Sequence, residues 1–243
     1  MTRLGMGLAL GQGARRFDPA SLFAGGEAGA WYDPSDLSAM FQDDAGTVPA
    51  AVDMPVGRLL DRSGRGNHAV QANAAARPML RQSGAGRLFL EFDGVDDQLV
   101  AAFSISQPIE RVSAIRQLAW TTSGRIFASS SVNAGALYMA GTAPRLGLYS
   151  GIAGISTGAV AVGADAVIAE RHHEAASRIT VNGDAPVTGA AGAVAPDGLT
   201  IGGWGSFRSQ VRVYGVLMIG RLLSEAEGAR LRGFMAARAG VPV

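Results

Sequence analysis

From Trp31 almost to the C-terminus this chain runs as short apolar stretches cut by Gly, Pro, Asn and Asp clusters. That rhythm suits strands and turns and leaves little room for long helices. Candidate strands are Leu88–Phe92, Leu99–Phe103, Val112–Trp120, Arg125–Ser129, Ala136–Met139, Leu146–Tyr149, Ala166–Glu170, Arg178–Val181, Leu199–Ile201 and Val211–Ile219. Their recurrence every 8 to 12 residues or so, without helical patterns between them, predicts an all-β antiparallel sandwich or barrel. Asn182-Gly183 sits where a hairpin would close, because both residues tolerate the positive φ of a type I′ turn. Ser224 with Glu227 forms a capping-box pattern ahead of Leu231, Phe234 and Met235, which predicts one C-terminal helix stopped at Gly240 and Pro242. Residues 1–26 are Gly-rich and show neither period, so they read as an extended arm ahead of a sandwich domain at 27–243, either a disordered tail or a segment that orders when docked on a partner. Residues 34–57 are expected to be a surface excursion.

Charge and composition narrow the chemistry. The 243 residues hold 21 cations, every one an Arg, against 20 acids, for a net charge of +1. Such a balance, without blocks of like charge, gives no electrostatic footprint for nucleic acid or an anionic membrane surface. With no Cys, a disulfide framework, a thiol nucleophile and thiolate metal sites are excluded. His68, His172 and His173 form no His-Glu-x-x-His pattern. Gly203-Trp204-Gly205-Ser206 lacks the frame of a serine nucleophile elbow, and the glycines at 5, 7 and 11 lead into no Lys-Ser or Lys-Thr. The start, Met1 to Gly13, makes a poor signal peptide, and no stretch reaches the apolar length of a membrane span, so a soluble protein is expected.

Three segments together carry a resemblance: Ala30-Trp31-Tyr32-Asp33, then Asp61-Arg62-Ser63-Gly64-Arg65-Gly66-Asn67-His68-Ala69, then Leu90-Glu91-Phe92-Asp93-Gly94-Val95-Asp96-Asp97. In this order they resemble the opening of concanavalin A-like, laminin-G-type jelly rolls. The Asn182-Gly183 hairpin, Leu199-Thr200-Ile201-Gly202-Gly203 and the strand before Leu223-Ser224-Glu225 extend that likeness over about 28–243. The resemblance implies a jelly-roll β-sandwich. A narrower one lies in Phe17-Asp18-Pro19-Ala20-Ser21-Leu22-Phe23, in the Trp31-Tyr32-Asp33-Pro34 region and in Arg58 to Ala69. It is similar to virion components of tailed phages, prophages and gene transfer agents. It implies a non-enzymatic virion surface protein, a head spike, fibre or tail component, docked on other virion proteins through its N-terminal arm. Such a protein would bind host cell-surface polysaccharide and form a homo-oligomer, without nucleic acid or membrane insertion. Fold alone does not fix function. A glycan-cleaving hydrolase and a purely structural virion adaptor are the alternatives.

Glu91, Asp93 and Asp96 approach the carboxylate pattern of jelly-roll glycosidases, and strand alternation puts Glu91 and Asp93 on one face. Asp93-Gly94 opens a turn, however, in which Asp93, Asp96 and Asp97 would accept backbone amides. No catalytic residue is therefore assigned and no cofactor is expected, apart from the structural calcium that laminin-G-type jelly rolls often carry. Its ligands would come from Asp61, Asn67, Asp93, Asp96 and Asp97. For carbohydrate the candidates are Trp204, between glycines, and Tyr149 with Arg145, since sugar faces stack on rings while hydroxyls bond to polar neighbours.

Overall fold

The computed structural model describes residues 17–242 and is built from two antiparallel sheets facing one another. In the first, strands run in the order Val187–Gly189, Ser177–Val181, Asp165–His172, Ile109–Gln117, Gln210–Ile219, Leu88–Asp93 and Met79–Gln82, with Gly29–Tyr32 also paired to Gln210–Ile219. In the second, the order is Ala153–Ala159, Arg145–Tyr149, Ala136–Met139, Arg125–Ala128, Gly198–Ile201, Leu99–Ala102, Ala69–Val70, Arg58–Leu59 and Met40–Phe41. An antiparallel β-sandwich is the result, one of the two forms that the strand rhythm predicts and the one that the jelly-roll resemblance implies.

Alternation along each strand decides what lies between the sheets. Leu90 and Phe92 from the first sheet share one continuous core with Leu137, Met139, Leu146 and Leu148 from the second. The opposite face of the first sheet carries Phe89, Val112, Ala114, Val167, Tyr214 and Leu217, and onto it folds the helix Glu225–Ala239 through Leu231, Met235 and Ala236. The expected capping box is present: Glu227 N–H donates to Ser224 Oγ and Ser224 N–H to Glu227 Oε2, at 3.2 and 2.8 Å. Gly240 closes the helix at φ 72°, a conformation that suits glycine. Asn182 and Gly183 likewise take φ 49° and 82°, and Asp184 N–H donates to Val181 O at 2.9 Å, completing the anticipated tight turn.

Two expectations need correction. Residues 17–26 do not extend away from the body: Pro19–Phe23 is a 3-10 turn capped by Asp18, and Leu22 and Phe23 are buried beside the C-terminal helix. Apolar side chains in that stretch supply burial that an arm would lack; the part of the expected arm at 1–16 lies outside the described residues. The excursion at 34–57 is also partly built in, since Met40–Phe41 forms an edge strand and Met40 and Val56 enter the core.

One polar cluster lies between the sheets. Arg111 is wholly buried, stacks over the Phe127 ring at 4.9 Å, donates from Nε to Glu170 Oε1 at 2.9 Å and from Nη2 to Glu170 Oε2, and reaches Gly135 O of the facing layer at 2.8 Å. Glu170 in turn lies 3.4 Å from His172 Nε2, whose Nδ1 is 2.8 Å from Ser150 Oγ. Burial lowers the His172 pKa, while Arg111 and His172 hold that of Glu170 low against burial. Replacing Glu170 by Ala would strand a buried guanidinium, and a loss of about 3–5 kcal/mol is expected in urea unfolding. Both shifts are downward, so both groups take up protons more readily once unfolded. Stability should therefore fall as pH drops below 6.5 through His172, and further below 4.5 through Glu170, in a pH series of denaturation midpoints.

Candidate functional site

The register of the second sheet brings scattered residues together on its outer face. Tyr138 pairs with Arg125 on one side and with Gly147 on the other, and Arg145 and Tyr149 flank Gly147 on the same face of their strand. Gly147 has to be small: a Cβ there would come within 2.8 Å of the Tyr138 ring, which lies across it. Next to this row the hairpin of Gly203–Trp204 and Phe207–Arg208, turning at Gly205 with φ 58°, lays two more rings against the sheet. The Arg125 guanidinium carbon ends 5.4 Å from the Tyr149 ring, 5.1 Å from Trp204 and 5.3 Å from Phe207. Each contact is within cation–π range.

Beside Arg125 opens a cavity of about 190 Å³ lined by Ser123, Arg125, Tyr138, Tyr149 and Phe207. On the far side of Tyr138 a second, of about 290 Å³, is lined by Tyr138, Gly141, Thr142, Arg145, Gly154 and Ser156 among others. Trp204, Tyr149 and Arg145, all singled out in the sequence, thus lie along one surface, the first two around Arg125 and the third across Tyr138. Arg125, Tyr138 and Phe207 carried no sequence signal of their own. Alternation with Leu137 and Met139 places Tyr138 on the outer face, but only the cross-strand register sets it beside Arg125.

At the edge of this surface lies the acidic turn. Asp93 Oδ1 accepts from the amides of Val95, Asp96 and Asp97, and Asp97 Oδ2 accepts from Asp93 N–H at 3.0 Å, which is the expected turn. Burial, aided by the charges of Asp93 and Asp96, pushes the Asp97 carboxyl up to about 6. One carboxylate oxygen from each of the three lies within 4.8 Å of the others. Arg208 Nη1 donates to Gln98 Oε1, tying the ring-bearing hairpin to this turn. Glu91 does share a face with Asp93, yet it is bound by Arg212 Nε at 2.8 Å.

The five residues considered for calcium fall in two places. Asp93, Asp96 and Asp97 are in the acidic turn, whereas Asp61 and Asn67 belong to a separate knot. Asp61 Oδ1 accepts from Trp31 and Ser63 amides at 2.9 and 2.8 Å, and Oδ2 from Ser63 Oγ and Asn67 N–H at 2.7 and 3.0 Å. Asn67 Nδ2 donates to Gly29 O at 2.7 Å, and the Asp61 amide donates to His68 Nδ1 at 3.0 Å. The motif therefore fastens a turn to the strand Gly29–Tyr32. Asp61→Ala should cost about 3 kcal/mol, read from the urea midpoint, because it deprives buried amides of a charged acceptor. The Ser150, His172 and Glu170 alignment has the order of a hydrolase triad, but all three side chains are buried between the sheets, where no substrate reaches them.

No protein-family model and no curated protein sequence matches this chain. Solved structures do. Trypanosoma rangeli sialidase in complex with sialic acid aligns at TM-score 0.55 and 16% identity, over 88% of this chain and 33% of the sialidase. Domain 4 of a Geobacillus stearothermophilus extracellular arabinanase, in complex with arabinotriose, aligns at TM-score 0.60 and 12% identity, over 85% of this chain and 98% of that domain. An arabinofuranosidase complexed with arabinofuranosyl-α-1,2-xylobiose aligns at TM-score 0.64 and 13% identity, over 92% and 65%. This chain thus spans about a third of the sialidase's length. Identities this low establish a shared sandwich fold. They also correct the expectation of a non-enzymatic virion surface protein, since the named neighbours are glycoside-cleaving enzymes and none is a phage or gene-transfer-agent component. The glycan-cleaving alternative is the better backed.

Proposed function

We propose that this chain works in the breakdown of polysaccharide, as the glycan-engaging part of a glycoside hydrolase, with sugar seated on the outer face of the second sheet. The observation that carries this reading is the convergence of Trp204, Phe207 and Tyr149 on Arg125 beside an open cavity. Rings offer stacking surfaces to the apolar faces of sugars, and the hydroxyls of Tyr138, Tyr149 and Ser123 can donate to or accept from theirs. The arabinotriose-bound domain, which this chain matches over nearly its whole length, supports the same reading.

The acidic turn favours cleavage by the chain's own carboxyls. Asp97, raised to about 6, keeps its proton in mildly acidic solution and can give it to a leaving oxygen, with carboxylate oxygens of Asp93 and Asp96 within 4.8 Å. A carboxyl that holds its proton beside a second carboxyl is the kind of pair that glycoside hydrolysis employs. The hairpin carrying Trp204 and Phe207 is bound to that turn through Arg208, so a sugar on the rings borders the acids.

Affinity electrophoresis through gels containing arabinan, xylan or polygalacturonate, combined with a reducing-end assay, tests both parts. Wild-type protein should be retarded by at least one polymer, and Trp204→Ala should weaken retention about tenfold, the equivalent of about 1.4 kcal/mol of lost stacking. Reducing ends should accumulate faster at pH 5 than at pH 7.5, because Asp97 loses its proton above about 6, and Asp97→Asn should stop them. Unretarded migration in every gel together with unchanged chain length would overturn the proposal.

A further inference from the structure

Two arginines among the described residues are buried and stacked on rings, and they differ in one respect. Arg111 has a carboxylate, Glu170, on its fork. Arg125 is only 8% exposed, and its Nε and Nη1 lie out of contact with solvent without a hydrogen-bond partner among the described residues. The groups acting on its charge are the Tyr149 and Tyr138 hydroxyls, no acid among them, and burial lowers its pKa. Three rings compensate part of the lost hydration. A guanidinium left this way still lacks its planar, two-oxygen partner.

Resting on the polysaccharide reading above, we infer that the ligand is an acidic glycan whose uronate carboxylate is received by Arg125. The carboxylate enters the cavity of about 190 Å³ that Arg125 lines, with the sugar ring against Tyr149 and Phe207. A second cation lies along the same surface. Arg145 is exposed, projects from the outer face two residues from Gly147, and lines the neighbouring cavity on the other side of Tyr138. Arg125 and Arg145 are thus two strands and two residues apart, about 10 Å across and 7 Å along the sheet by ordinary strand spacings, a separation that an oligosaccharide with repeated carboxylates can bridge. Neutral arabinose or xylose polymers would leave the Arg125 fork unmatched.

The test compares three polymers on the wild-type chain by isothermal titration calorimetry: polygalacturonate, the same polymer after carboxyl reduction, and dextran sulfate. Polygalacturonate should bind about tenfold or more tightly than its reduced form, the fold-change that one charge-assisted bond to a buried donor confers. It should also bind more tightly than dextran sulfate, whose charge is comparable but whose groups do not match a planar fork. Arg125→Gln should bring the ratio between polygalacturonate and its reduced form close to one, and should leave the thermal midpoint unchanged or raised, since it removes an unpaired buried charge. Equal or tighter binding of the reduced polymer overturns the inference while the polysaccharide reading stands, and dextran sulfate binding as tightly shows general anion attraction and overturns it too. No binding of any of the three overturns the inference, and the polysaccharide reading falls with it only where arabinan and xylan also fail to retard the protein and chain length is unchanged. If Arg125→Gln does not fold, the comparison of polymers on the wild-type chain still decides.

Discussion

The sandwich is held in register at its centre by an ion pair that has no water to fall back on. Arg111 and Glu170 come from adjacent strands of the first sheet, and the third bond of the guanidinium crosses to Gly135 O in the other layer. A sheet-to-sheet contact made of aliphatic side chains alone would tolerate small slides between the layers. A buried guanidinium with fixed acceptors on both sides does not, because any shift leaves a charged donor unmatched in a medium of low polarity. Leu146, Leu148, Leu137 and Met139 then lie at a defined height in the core, and the outer residues of the same strands take their places in consequence.

That consequence is the site. Tyr138 lies outward because Leu137 and Met139 lie inward, and Arg145, Gly147 and Tyr149 lie outward because Leu146 and Leu148 do. Arg125 shows the same geometry as Arg111 with one component missing, a buried guanidinium over aromatic rings without the carboxylate. An uncompensated charge of this kind lowers stability, so its presence on a face with open cavities beside it is more economically explained by a partner arriving from outside than by packing.

Much of the scaffold was legible in the residues. Period-two alternation located the central strands to within one to three residues at most ends, Asn182-Gly183 announced its turn, and Ser224 with Glu227 announced the helix start. What stayed hidden was non-local. Met79–Gln82 and Ala153–Ala159 lack a strong alternation and become strands because a neighbouring ladder offers them partners. Trp204, Tyr149 and Arg145 could be named as sugar-binding types from their glycine-flanked or polar surroundings, but Arg125 is an ordinary strand residue until Tyr138, Trp204 and Phe207 are folded around it. The virion reading failed for a related reason. Its residues, Asp61 through Ala69 above all, make the knot that ties a turn to Gly29–Tyr32, and such a knot serves any protein with this sandwich.

The two sheets also divide the labour between their outer faces. On the first, Phe89, Val112, Val167, Tyr214 and Leu217 form an apolar surface that the C-terminal helix covers. On the second, the outward residues are a mixture of rings, glycines and arginines, too polar to call for a covering helix and too aromatic to be an indifferent solvated surface. The hairpin at 203–208 lies against this face, with Trp204 and Phe207 over Arg125 and Arg208 reaching to the acidic turn. Aromatic platform, unpaired cation and raised carboxyl are thereby strung along one edge-to-centre path on the uncovered sheet. A chain that needed only to be stable would have gained from an acid beside Arg125 or an aliphatic residue in its place; keeping the guanidinium unpaired makes sense where an incoming anion completes it.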